Sequence, residues 1–103
     1  MIINLKNLPF NIHVDEHEEA FNAALLCQCI DYARFELKKK NIEVSKTIVS
    51  KDFYIELTQT LRRILIFPEG TVNTSSINSG YIIFAGTKLS FSEGLEDTEI
   101  VIS

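Results

Sequence analysis

The chain has 103 residues, 46% of them hydrophobic and 23% charged, with a net charge of −4 and a pI near 5.1. That length supports one domain over residues 1–103, able to bury about two thirds of its unfolded surface. The acidity argues against a general nucleic-acid binder, which shows a basic face or stripe. No apolar run approaches the roughly 20 residues that cross a bilayer.

In chain order, Ile2 to Leu5 reads as a short strand, and Asn7 to Val14, which contains Pro9, as a connecting loop. Met1 to Phe10 has no basic n-region, long apolar core or small-residue cleavage site. It is therefore not read as a signal peptide, and a soluble cytoplasmic protein is expected.

Asp15 to Lys40 is the most informative stretch, a helix that marks both ends. Asp15 and Glu18 form a capping arrangement, and Asp15, Glu16, Glu18 and Glu19 sit where the helix dipole favours negative charge. Lys38, Lys39 and Lys40 complement the other end, and Asn41 makes the C-terminal cap. Ala23, Leu26, Ile30, Ala33 and Leu37 form one apolar stripe at 3-4-3-4 spacing. A second set, Phe21, Leu25, Cys29 and Tyr32, lies about 100° round the helix, whereas an ordinary surface helix carries one stripe. A helix of that span is about 39 Å long and needs apolar partners on two sides. Cys27 and Cys29 point about 200° apart on such a helix. They can neither pair with each other nor share a metal, and are expected as reduced, buried thiols.

Ile42, Val44 and Ile48 suggest an extended segment, weakened by Lys46 at an apolar phase. Lys51 to Phe67 alternates like a strand at Phe53, Ile55 and Leu57. Over the longer window, Phe53, Tyr54, Leu57, Leu61, Ile64 and Leu65 fit one helical face. Ser50 as N-cap, Arg62 and Arg63 near the end and Pro68-Glu69-Gly70 as a stop favour helix. If the segment were a strand, the extra apolar face of the long helix would need another subunit. Thr71 to Gly80 is a polar loop punctuated by Val72 and Ile77. Gly86-Thr87 predicts a two-residue turn within a Tyr81–Phe91 hairpin that pairs Ala85 with Lys88 and Phe84 with Leu89. The acidic loop Ser92 to Asp97 leads to a last strand, Glu99 to Ile102. The expected class is α+β: one long and one shorter helix on a small, mainly antiparallel sheet, in the order β-α-β-α-β-β-β.

The sharpest chemical candidate is His13-Val14-Asp15-Glu16-His17, which matches the letters of an H-x-x-E-H zinc motif. A small metal-dependent hydrolase using His13, Glu16 and His17 is the alternative function. Against it, the capping signal starts the helix at Asp15, which leaves His13 outside and breaks the i,i+4 geometry. The plainer reading is two solvated histidines at a helix start. Four scattered glycines make turns and cradle no phosphate. Lys38–Lys40 and Arg62–Arg63 are accounted for as charges at helix ends.

No catalytic constellation emerges and no cofactor is expected. The favoured expectation is a non-catalytic interaction or assembly protein that self-associates through Phe21, Leu25 and Tyr32. A second contact surface for a larger protein would use Glu16, Glu18 and Glu19 or the loop residues Asn73 and Ile77. Small size and intracellular character suit a phage or mobile-element protein, either a structural component or an inhibitor of a host protein.

Overall fold

The computed structural model describes residues 1–13, 21–64 (side chains through residue 61) and 81–103. Among them are two helices and five strands: β1 (Ile2–Asn4), α1 (Phe21–Lys38), β2 (Lys46–Ser50), α2 (Lys51–Ile64), β3 (Tyr81–Phe84), β4 (Thr87–Ser92) and β5 (Glu99–Ile102). The class is α+β, and the element order matches the one read from the sequence. Within one five-stranded sheet the spatial order is β1-β5-β2-β4-β3, with β2–β4 parallel and the other three pairings antiparallel.

Local chemistry explains where the helices end. Asn41 adopts a left-handed φ of 57°. Asn41 N–H donates to the Lys38 carbonyl, and Ile42 N–H to the Leu37 carbonyl, both at 3.0 Å. That pair of bonds is a Schellman motif, which satisfies carbonyls left over at the end of α1. Ser50 Oγ accepts from Phe53 N–H at 3.1 Å, the N-cap bond of α2. The expected start of α1 at Asp15 lies outside the described residues.

The core sits between the two helices and one face of the sheet. From α1 it takes Leu25, Leu26, Cys29, Ile30, Ala33 and Leu37, and from α2 Phe53, Tyr54 and Leu57. The strands supply Ile3, Val49, Ile82, Leu89, Ile100 and Ile102. Alternation along each strand sends these inward and their neighbours to the opposite face. The Tyr54 and Phe91 rings meet with centroids 5.1 Å apart, joining α2 to β4.

Three expectations are corrected. The second apolar stripe of α1 finds its cover within the chain. Leu25 belongs to the core at 6% exposure. Phe21 and Tyr32 pack against the core with Leu5, Leu8, Phe10 and Ile12, and the Phe10 and Tyr32 rings stack with centroids 5.1 Å apart. The segment after β1 thus serves as the second partner that the helix requires.

The hairpin turns one residue earlier than its glycine suggests. Phe84 pairs with Thr87, Ile83 with Lys88, Ile82 with Leu89 and Tyr81 with Ser90. The turn is therefore Ala85-Gly86, with φ values of 49° and 78°. Both residues are left-handed, as a type I′ turn requires and as strand twist favours. Thr87 supplies the reason. In this register its hydroxyl is buried, donates to the Phe84 carbonyl at 2.8 Å and accepts from the Thr47 hydroxyl at 3.0 Å. An Arg34 guanidinium N–H also donates to the Ala85 carbonyl. The φ of 78° at Gly86 favours glycine, and a Cβ there would also displace the Arg34 guanidinium, which it would meet at 2.7 Å.

The extended segment after α1 is the third correction. Val44 is buried ahead of the strand, and β2 begins at Lys46 with Thr47 and Val49 inward and Ile48 outward. An apolar-phase reading fails here because Thr47, a polar residue, is fully buried through its bond to Thr87.

Thr87→Val should destabilise the fold by roughly 1–3 kcal/mol in denaturant unfolding, because the Thr47 hydroxyl loses its acceptor while buried. Thr47→Val should cost less, since Thr87 keeps its bond to Phe84. Ala85→Gly should stabilise by about 0.5–1 kcal/mol, removing the Cβ penalty of a left-handed residue.

Candidate interaction face

Of the sequence-predicted chemical residues only His13 lies among the described residues. His13 is exposed, and its backbone N–H donates to Gln28 Oε1 at 3.1 Å. Glu16, His17, Glu18, Glu19, Asn73 and Ile77 lie outside the described residues. Among the described residues no group of three His, Cys, Asp or Glu side chains could hold a metal ion. Lys38, Lys39 and Lys40 are exposed at the end of α1. Lys39 reaches Glu36 one turn earlier, at 3.3 Å. No described helix is long and apolar enough to cross a membrane.

What the fold builds instead is a sheet with both helices on one side. On the other side, strand pairing lines up one residue from each strand in a single row. Ile2 lies across from Val101, Val101 from Ile48, Ile48 from Ser90, and Ser90 from Tyr81. Four of the five are apolar or aromatic, and the row crosses the whole sheet. None of them belongs to the core cluster or packs against it. Ile2 and Ile83, at the two edges, are 67% and 68% exposed. Between them, Val101, Ile48, Ser90 and Tyr81 are of intermediate exposure and lie outside the core that the two described helices build with the sheet.

The charges on this face are segregated along the strand direction. Lys46 and Lys88 lie directly across from each other in the parallel β2–β4 pair, and Ile83 lies across from Lys88. Lys88 Nζ sits 4.4 Å from the centroid of the Tyr81 ring, a cation–π contact that holds both side chains on the face. Glu99 stands on β5 two residues before Val101, at the opposite side of the apolar row, and is paired with Asn4. Neighbouring like charges on a sheet repel. The ion pairs of the described residues are Arg34–Asp31, Lys39–Glu36 and Lys51–Glu93, so neither Lys46 nor Lys88 has a carboxylate partner among them.

Sequence reasoning puts Lys88 and Ser90 on the face opposite the apolar one, as observed, but does not single out Ile2, Ile48, Tyr81, Ile83 and Val101 beside them. A signal was present in the strands themselves: Ile2-Ile3, Tyr81 to Phe84 and Ile100 to Ile102 are unbroken apolar runs. Such a run belongs to a strand with two apolar faces. Only the register reveals that the second faces align.

Clefts also occur elsewhere among the described residues. One of about 530 Å³ lies between the end of α1 and the hairpin turn and is lined by Arg34, Lys38, Glu43 and Gly86. Another of about 360 Å³ is lined by Leu5, Phe21 and Leu25 together with Asp52, Glu56 and Asp97. Neither holds a nucleophile beside a base.

The cysteines are both free. Burial pushes the Cys29 thiol up to about 11, and Cys27 is raised by burial first and by the Asp31 charge second. A thiol that holds its proton longer in the native state stabilises the fold at neutral pH. That contribution should be lost as pH rises from about 9 through 11, visible as a falling unfolding midpoint. Alkylation at pH 8 should correspondingly leave Cys29 unmodified until the chain is unfolded. Compared with known protein families, characterised proteins and solved structures, the chain matches none.

Proposed function

We propose that this is a non-catalytic interaction or assembly protein that works through the face of its sheet opposite the two described helices. The observation that carries this reading is the registered row Ile2–Val101–Ile48–Ser90–Tyr81, opposite a core that both helices already complete. A sheet exposed on one side normally alternates apolar-in and polar-out. Here four of the five strands keep an apolar or aromatic residue on the side away from the helices, at a cost in solubility that a partner would remove. Self-association, expected from the sequence at Phe21, Leu25 and Tyr32, is moved in this proposal to the sheet, because Phe10 and its neighbours already cover that side of α1.

The metal-dependent hydrolase reading gains no observation, since Glu16 and His17 lie outside the described residues. The partner surface at Glu16, Glu18, Glu19, Asn73 and Ile77 stands as a second proposal for the same reason. A role as a phage structural component or host-protein inhibitor is compatible with an interaction face but draws nothing specific from it.

Ile83→Glu places a charge at an exposed apolar residue of the face that lies outside the core. Capture from the source lysate, compared between wild type and Ile83→Glu, should show a partner or a second copy retained by wild type and depleted at least tenfold by the variant. Glu18→Lys with Glu19→Lys should leave that capture unchanged. Equal capture by Ile83→Glu, with loss in the Glu18/Glu19 variant, would transfer the contact to the acidic segment.

A further inference from the structure

We infer that the sheet face opposite the two described helices docks a second copy of this chain, sheet to sheet about a two-fold axis running along the apolar row. The inference rests on the interaction reading above and names its partner. Three observations select this occupant.

The first is charge complementarity. Lys46 lies two residues from Ile48 on one side of the row, and Glu99 two residues from Val101 on the other side. Turning a copy over about the row brings its Glu99 to the side of the first copy's Lys46, displaced by one strand spacing of about 4.8 Å. Packed sheets stand about 10 Å apart, a gap that a lysine and a glutamate side chain bridge together. The two-fold makes the contact twice, so each copy gives one cation and one carboxylate. It also brings a carboxylate toward the Lys46–Lys88 pair, which finds none among the described residues.

The second is self-complementarity of shape. The same axis lays Ile2, Val101, Ile48 and Tyr81 along the same row of the partner, as an isologous contact requires. A nucleic-acid strand would need several stacked aromatic side chains on this face, and among the described residues the face offers only Tyr81.

The third is size. Five strands at about 4.8 Å spacing, each showing about four residues of 3.3 Å, give a face of roughly 24 by 13 Å. Standard interfaces take about 800 Å² from each partner, so this contact falls in the small, reversible class. The dimer should therefore depend on concentration.

Sedimentation equilibrium of the whole chain over roughly 1 to 500 μM tests the inference, with circular dichroism to check that each variant folds. Wild type should pass from monomer to dimer, stopping at dimer. Lys46→Glu and Glu99→Lys should each weaken association about tenfold or more, because each sets two like charges against one another. Mixing the two variants should restore it, since the mixed pair carries two glutamates on one copy against two lysines on the other. Wild type that stays monomeric throughout would overturn the second-copy inference, while the interaction reading would still be judged by the Ile83→Glu capture. A dimer unmoved by both substitutions, or not restored on mixing, would also overturn it and place the contact elsewhere. Single-stranded oligonucleotide binding by a monomer at low salt would overturn it in favour of nucleic acid.

Discussion

The parallel pairing of β2 with β4 is the contact on which the rest of the molecule depends. It joins the two halves of the chain: β2 lies between the helices in sequence, and β4 belongs to the C-terminal hairpin. At its start the Thr47 and Thr87 hydroxyls bond to each other, fully enclosed. A buried hydroxyl without a partner is costly, so each threonine restricts the register in which the other is acceptable. The hairpin turn then follows from Thr87, even though it places an alanine in a left-handed conformation. Arg34 from α1 closes on the same turn, so helix, hairpin and central strand meet at one point.

With β2 in the middle, β5 pairs on its other side and recruits β1, while β4 carries β3. Both helices then fall on one face, and α1 completes its burial with the segment that follows β1. The strand Ile2–Asn4 thereby does two jobs: it closes the sheet edge and delivers Leu5, Leu8, Phe10 and Ile12 to the helix. What this leaves is the other face. Covering a five-stranded sheet on both sides takes more chain than the two described helices supply. The residues left there are a band of isoleucine, valine and tyrosine flanked by charge of opposite sign at its two sides.

For the proposed role, the question is what would remove this face from water. Apolar area is favourable to bury at about 25 cal/mol per Å², yet the face is small, so directional charges have to decide between partners. Lys46 and Lys88 are neighbours across a strand pair in a chain whose net charge is −4. A local positive side on an acidic protein discriminates among partners more sharply than the apolar row can.

The sequence by itself determined the local structure. Helix-face periodicity placed α2, Ser50 and Asn41 marked a helix start and a helix end, and β5 ran as expected from Glu99 to Ile102, because these signals act over a few residues. It also carried the fact that α1 is apolar on more than one side. Tertiary structure alone decided what met that second side, since Phe10 reaches Tyr32 across 22 positions of chain that no local pattern connects. The same holds for the hairpin register, where a threonine 40 positions away outweighed the glycine that local turn chemistry would put first. It holds most of all for the face opposite the described helices: alternation shows that a strand has two sides, and only pairing with its neighbours decides which residues stand in one row.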